Sequence, residues 1–144
     1  MQAGAFAAIF DDKRKVLLCH RRDIDAWNLP GGRVEDSESP WEAAVGEVRE
    51  EVGLEVKIAR LTGLYWKPDT SELVFNFEAE VVSGHPGLSD EADEVGYFSV
   101  EELPATTAPK HIERIREALA EGPAVFRTQT GPSMRALFTG GNPA

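Results

Sequence analysis

Three glutamates, Glu47, Glu50 and Glu51, have spacings that bring their side chains together on one flank of an α-helix. Glu47 lies three residues before Glu50 and four before Glu51, and like charges at these spacings destabilise an isolated helix. Mg²⁺ takes oxygen ligands and commonly uses one or two carboxylates together with substrate phosphates. A bound divalent cation would therefore turn the repulsion into coordination. The alternative is a solvated acidic face, as on most glutamate-rich helices.

The segment that carries these glutamates, from Pro40 to about Glu51, has clear helix ends. Ser39 can cap its N-terminus, Pro40 suits the first turn, and Glu42 completes a capping box. Gly53 can supply the left-handed residue that ends the helix. Apolar residues at helical spacing predict a buried stripe made of Trp41, Ala44, Val45, Val48 and Val52.

Apolar runs predict the elements around this helix. Residues 5–10 and 16–19 flank a polar turn, which predicts a hairpin of buried strands, and residues 27–32 have the composition of a loop. Further strands are expected at 54–64, 73–82 and 95–100, and a second helix at 112–120. The tail, residues 121–144, is rich in Gly, Pro, Thr and Ser. We expect it to dock on its own domain or on a partner subunit.

The composition fits one globular domain of 144 residues. A run of about 18 apolar residues and a signal peptide are both missing, so we expect no membrane association. Cys19 is the single cysteine, which suits a reducing compartment and predicts a cytoplasmic protein. The net charge of −10 argues against binding to a nucleic-acid backbone.

A longer pattern surrounds the glutamates. From Gly32 the chain reads glycine, five residues, Glu38, seven residues, and then residues 46–54, GEVREEVGL. This resembles the Nudix box, G-x5-E-x7-R-E-U-x-E-E-x-G-U, where U is a bulky aliphatic residue. Every specified position matches except one, because Gly46 stands where the family has arginine. The flanking segments also resemble the family, so the resemblance covers roughly residues 3 to 120.

The resemblance implies a fold and an activity. The fold is a single α/β domain over residues 1–120, an α/β/α sandwich around a mixed β-sheet in which the box forms a loop, a helix and a loop. Nudix enzymes hydrolyse a pyrophosphate bond in a nucleoside diphosphate linked to another group. The implied substrate is therefore a small nucleotide, such as a nucleotide sugar or a nucleoside triphosphate, and the implied cofactor is Mg²⁺, with Mn²⁺ as an alternative. Dimerisation is common in the family, and a homodimer would account for an ordered tail.

The resemblance also implies roles for individual residues. Glu47, Glu50 and Glu51 occupy the metal-binding positions, and the backbone carbonyl of Gly31 is a further candidate ligand. Glu38 belongs to the box as a supporting residue.

The general base is Glu47 in some members and a loop carboxylate outside the box in others. The matching loop residue here is Glu91, which makes Glu47, Glu50 and Glu91 the predicted catalytic residues. Three basic side chains are candidates for binding substrate phosphates: Arg21, Arg22 and Arg33.

Gly46 leaves two hypotheses open. The arginine of the family orients the catalytic glutamates, and Arg49 points to the opposite side of the helix, so a cation such as Arg33 or Arg22 would have to replace it. In the first hypothesis the metal site is intact and turnover is slower. In the second, the chain is a Nudix-fold nucleotide-binding or regulatory domain with little catalysis. We favour the first, because all four glutamates of the box are present.

Overall fold

The computed structural model describes residues 1–138, so the last six residues of the predicted tail, 139–144, lie outside it. Within the described part, no helix is both long and apolar enough to cross a membrane. The elements are β1 (Gln2–Ile9), β2 (Val16–Arg21), β3 (Trp27–Asn28), β4 (Gly31–Arg33), α1 (Pro40–Val52), β5 (Glu55–Lys67), β6 (Glu72–Ser83), β7 (Ala92–Phe98), a 3-10 turn (Val100–Glu102), α2 (Pro109–Leu119), β8 (Val125–Thr128) and α3 (Met134–Phe138).

The strands form two sheets flanked by helices, which confirms a single α/β domain with a mixed sheet. The larger sheet has the order β4-β1-β6-β5-β8, in which β1 is parallel to β6 and β5 is parallel to β8. The smaller sheet, β3-β2-β7, is antiparallel. Helix α1 lies against β1, β4 and β5, and α2 contacts β5. The one strand in the described part of the tail, β8, has four residues and pairs with β5 at the edge of the larger sheet.

The predicted hairpin of residues 5–10 and 16–19 is wrong, although both strands form. β1 lies between β4 and β6 in the larger sheet, whereas β2 lies between β3 and β7 in the smaller one. A single bridge, Phe10 to Val16, joins the two segments. The reason is that each strand is internal to its own sheet and pairs along both edges with other strands. The predicted loop at 27–32 likewise contributes short strands to both sheets.

The predicted ends of α1 are confirmed. The Ser39 hydroxyl accepts a hydrogen bond from the backbone N–H of Glu42 at 3.1 Å, and the Glu42 carboxylate accepts one from the N–H of Ser39 at 3.0 Å. At the other end Gly53 is left-handed, with φ of 73°, and donates its N–H to the carbonyl of Arg49. These two caps fix where the helix starts and stops, and therefore which way its glutamates point.

The predicted buried stripe of α1 is wrong at Trp41, whose exposed fraction is 57%. The buried residues of the helix are Ala43, Ala44, Val48, Glu51 and Val52. At about 100° per residue, this set is centred about 55° away from Trp41, on the side of the glutamates. Glu51 thus lies inside the buried face instead of beside it, because the helix presents that side to β1, β4 and β5.

Candidate metal and active centre

Three carboxylates converge where α1 faces the loop that precedes β7. One oxygen from each of Glu47, Glu51 and Glu91 lies within 4.8 Å of the others. Two of them come from successive turns of α1, while Glu91 comes from a segment 40 residues further along the chain. Oxygen donors at such separations fit a hard divalent cation, which needs several oxygen ligands around one point.

Glu51 is the most buried member of the cluster, with an exposed fraction of 6%. Its carboxylate accepts hydrogen bonds from the backbone N–H of Gly31 at 3.3 Å and from the thiol of Cys19 at 3.5 Å. Burial, reinforced by the neighbouring Glu47, raises the pKa of Glu51 to about 8. Without a cation, Glu51 is therefore mainly protonated at neutral pH and can donate a hydrogen bond to Glu47.

Glu47 is surrounded by negative charge. Its pKa is raised, first by burial and then by the charges of Glu50, Glu91 and Glu38. In residues 1–138, no lysine, arginine or histidine forms an ion pair with Glu47, Glu50 or Glu51. Buried carboxylates are stable when they are paired or coordinate a metal. The donor set therefore fits a divalent cation.

Two glycines let the β4 backbone approach this cluster closely. A Cβ on Gly32 would lie 2.9–3.0 Å from the carboxylate atoms of Glu47. A Cβ on Gly31 would lie 2.3 Å from the ring of Phe6 and 2.4 Å from the carbonyl oxygen of Ala5. A side chain at Gly32 would displace the carboxylate of Glu47, and a side chain at Gly31 would displace the neighbouring strand β1.

A cleft of about 500 Å³ opens beside the cluster and can hold a ligand of nucleotide size. Gly31, Gly32, Glu51 and Glu91 form part of its wall. Asn28 also lines it, and its Oδ1 atom is buried and has no hydrogen-bond partner within residues 1–138. The cleft therefore combines a carboxylate cluster with an unused polar acceptor.

The structure brings some of the predicted site residues together and leaves others apart. Glu47, Glu51 and Glu91 meet, and Gly31 adjoins them. Glu50 is exposed and outside this group, although its charge acts on Glu47. Glu38 accepts a hydrogen bond from the N–H of Glu35 and adds negative charge near Glu47. The roles assigned to these residues from the sequence stay predictions.

Two of the three predicted phosphate-binding arginines line the cleft. Arg21 is held by two hydrogen bonds to Asp23, at 2.6 and 2.8 Å, and the Nε of Arg22 donates to the carbonyl of Ser89 at 2.9 Å. Arg33 donates to Gln2 and is not among the lining residues. Neither Arg22 nor Arg33 pairs with the glutamates, so the orienting contacts to Glu51 come instead from a backbone N–H and a thiol.

His20, which was assigned no role from the sequence, ties the loop before β3 to the start of β7. Its Nδ1 is 2.7 Å from Asp93, two residues after Glu91, and its Nε2 is 2.9 Å from Asp25. Both nitrogens can donate only when the ring is protonated. Burial alone would lower the pKa of His20, but the hydrogen bonds to Asp25 and Asp93 outweigh it and raise the pKa above its usual 6.5. No spacing in the sequence indicates this bridge.

We expect His20→Asn to destabilise the protein in a pH-dependent way. Because the folded-state pKa is raised, the stabilisation is fully present below about pH 6.5 and is lost as the pH rises through the folded-state value. The difference in Tm between wild type and variant should therefore be larger at roughly pH 5.5 than at roughly pH 8.5. A difference that is equal at both values would show that the charged bridge does not form.

Comparisons with known proteins agree with this geometry. The family model described as the NUDIX domain matches residues 1–120. A Bacillus subtilis (strain 168) protein, provisionally named an 8-oxo-dGTP diphosphatase, is 31% identical over 116 residues, which are 79% of this chain and 77% of that protein. An ADP-ribose pyrophosphatase of Methanocaldococcus jannaschii is 34% identical over 109 residues, 71% of this chain and 64% of that protein. The crystal structure of an ADP-ribose pyrophosphatase from Streptococcus suis superimposes with a TM-score of 0.74 at 25% identity, covering 89% of this chain and 98% of that one.

Proposed function

Because this chain belongs to the Nudix family and is a Nudix pyrophosphohydrolase, we propose that it cleaves the pyrophosphate bond of nucleoside diphosphate derivatives with Mg²⁺, or Mn²⁺ in its place. The observation that carries this proposal is the meeting of Glu47, Glu51 and Glu91 at one edge of the cleft. The names of two relatives, which refer to 8-oxo-dGTP and to ADP-ribose, support the proposal of a small nucleotide as substrate.

We assign Glu47 and Glu51 to holding the cation, with Glu50 and the Gly31 carbonyl as further candidate ligands. When bound, the cation would neutralise charge on the substrate phosphates and favour ionisation of the attacking water. Arg21 and Arg22 line the same cleft and are suited to contact the phosphates. Holding the diphosphate in line with the water is the main task of these residues, since phosphoryl transfer depends on positioning and charge stabilisation.

Glu91 is our candidate for the general base. It is exposed at the cleft, whereas Glu51 is buried and has a raised pKa. Its loop is fixed, because the Glu91 N–H donates to Ser89 and its carbonyl accepts from the N–H of Arg22. A carboxylate held within reach of the water can accept its proton. Glu47, which is half-buried, is the alternative base.

A substrate panel tests the proposal. ADP-ribose, nucleotide sugars and nucleoside triphosphates, including 8-oxo-dGTP, are incubated with the protein in Mg²⁺, in Mn²⁺ and in excess chelator. We expect hydrolysis of at least one compound with a divalent cation and none in chelator, with products identified by chromatography. Binding without turnover across the panel would instead support the second candidate, a nucleotide-binding regulatory domain.

Gly46 is the observation that favours this second candidate, and Gly46→Arg tests it. A Cβ at this position meets no atom within 4 Å, so the first carbon of a longer side chain fits without a clash. If the lack of the orienting arginine limits turnover, Gly46→Arg should raise kcat about tenfold, which is the effect of one charge-assisted hydrogen bond. Gly46→Ala is the matched control, since it removes the helical glycine without adding charge. An unchanged kcat in Gly46→Arg would show that Gly31 and Cys19 already orient the site sufficiently.

A further inference from the structure

A second cavity of about 370 Å³ lies beside the active-site cleft and shares Arg21 and Met134 with it. It is formed by the end of β5, the first turn of α2 and residues 130–137. Of the residues that the structure describes, no carboxylate lines it, although the chain carries a net charge of −10. We call it the basic cavity, after the five cations in its wall, which are Arg21, Lys67, Lys110, Arg114 and Arg135.

Arg114 is the deepest of these cations, with an exposed fraction of 1%. Its Nε and Nη2 donate to the side-chain oxygen of Gln129 at 3.1 and 2.9 Å, and its guanidinium lies over the rings of Phe6 and Tyr65. Nη1 is buried and has no hydrogen-bond partner in the described chain. Burial lowers the pKa of Arg114 to about 10, so the group still carries its charge. A buried cation without an anionic partner is costly.

Gln129 is what keeps Arg114 in this position. Its backbone N–H donates to the carbonyl of Trp66 at 2.8 Å, and its side-chain nitrogen donates to the carbonyl of Lys110 and to Glu113. The arginine is thus clamped on one edge, while its Nη1 has no hydrogen-bond partner among the described residues. This is a built arrangement and not a chance encounter of surface side chains.

The first turn of α2 adds further unused donors. Its N-cap, Ala108, has no side chain that can accept a hydrogen bond, unlike Ser39 at the start of α1. Uncapped N–H groups and the positive end of a helix favour an anion. His111 accepts from the N–H of Leu29 through Nδ1, and its pKa is lowered by burial, so the neutral ring keeps its proton on Nε2. His111 therefore presents a donor as well.

Part of the positive charge is already neutralised. Asp23 pairs with both Arg21 and Arg135, and Glu72 pairs with Lys67. Arg114 and Lys110 form no ion pair with a carboxylate in the described residues; Lys110 donates to the carbonyl of Gly131. The pKa of Lys110 is lowered by its burial and by the charges of Lys67 and Arg114, as expected where cations crowd together. These two residues carry the charge available to a ligand.

From these contacts we propose that the basic cavity binds a phosphate monoester, carried by the substrate away from its pyrophosphate bond. The proposal rests on the proposed hydrolase function and specifies the substrate class. Because the two cavities share Arg21 and Met134, one molecule can extend from the carboxylate cluster into the basic cavity. Lys110, Arg114 and the first turn of α2 would hold the phosphate.

The test compares diphosphate compounds that differ by one phosphate monoester, such as ADP-ribose with ADP-ribose 2′-phosphate and NAD⁺ with NADP⁺. In wild type, at least one phosphorylated compound should have a KM about tenfold lower than its parent, as expected for charge-assisted hydrogen bonds. Lys110→Ala should remove this preference while leaving kcat/KM for the parent unchanged, and Lys110→Arg should restore it. Lys57→Ala, a lysine paired with Glu80 on the surface, is the control.

Inorganic phosphate tests whether the basic cavity binds a phosphate group of the substrate or a free phosphate ion. Phosphate that raises the KM of the phosphorylated compound, but not that of its parent, supports a shared subsite. Phosphate that binds by calorimetry yet alters neither KM would overturn the substrate assignment and mark a separate effector site. Equal KM values within every pair, with no phosphate binding, would overturn the proposal as a whole. Hydrolysis of the parents reports on the proposed function independently.

Discussion

Replacing Glu51 with glutamine is expected to lower metal-dependent kcat by at least about 100-fold, since a bound cation supplies several kcal/mol of charge stabilisation in such reactions. Glutamine keeps the shape of the protonated acid and can still accept from the N–H of Gly31. It cannot offer a charged ligand to a cation. The loss should therefore appear in kcat with Mg²⁺ and with Mn²⁺, measured on whichever panel compound the wild type hydrolyses best.

The same variant should be more stable than wild type when metal is absent. The pKa of Glu51 is raised from 4.5 to about 8 on folding, so between these values the folded state binds more protons than the unfolded state. Stability of the metal-free wild type therefore declines as the pH rises through this window, and glutamine removes the decline. At pH 8 in chelator we expect the Tm of Glu51→Gln to be roughly 5 °C or more above that of wild type.

Adding Mg²⁺ should reverse the order of stability, so that wild type becomes more stable than Glu51→Gln. Mg²⁺ stabilises whichever protein binds it, so the wild type should gain Tm on titration and Glu51→Gln should gain little. Glu80→Gln, an exposed glutamate on β6, is the control and should behave as wild type in both assays. Equal metal-induced gains in Tm for wild type and Glu51→Gln would mean that Glu51 is not a ligand.

Gly32→Ala is expected to reduce kcat by roughly ten- to a hundredfold while leaving the fold intact, because displacing a catalytic group by up to about 1 Å has costs of this size. The new methyl would meet the carboxylate of Glu47 at 2.9–3.0 Å. That carboxylate is the end of a flexible side chain, so it can move aside and leave the backbone in place. Gly32→Ala therefore alters the geometry of the carboxylate cluster and not the fold.

Gly46→Ala is again the matched comparison, on the helix that carries Glu47. No atom lies within 4 Å of its added Cβ, and alanine is favoured over glycine in a helix by about 1 kcal/mol. We expect unchanged kcat and a slightly raised Tm for this variant, determined alongside Gly32→Ala by steady-state kinetics and calorimetry. If Gly32→Ala retained full activity, Glu47 would not be needed at its observed position.

Local features of the chain were predicted well from the sequence. Ser39, Glu42 and Gly53 define the ends of α1 through contacts within a few residues, so residue type and spacing are sufficient. The family resemblance likewise follows from a contiguous pattern. Trp41 was mispredicted because a helical wheel identifies a stripe but not its centre, which depends on how the helix lies against β1, β4 and β5.

Contacts between distant segments could not be predicted in this way. Cys19 was predicted only as part of a buried strand, yet its thiol donates to Glu51, 32 positions later. The pairing of β1 and β2 with separate sheets depends on strands far along the chain. Arg114 and Gln129 meet only because β8 pairs with β5 and brings the tail over α2. None of these contacts has a signature in spacing or composition.

Because β8 pairs with β5, the segment that shapes the basic cavity is separate from the elements that carry the carboxylate cluster. The carboxylate cluster is built from α1 and the loop before β7, whereas Gln129 and residues 130–137 follow β8, after the last residue that the family model matches. Substitutions in that segment can reshape the basic cavity without moving Glu47 or Glu51. Selection on substrate preference can therefore act on the tail while the hydrolytic machinery stays unchanged.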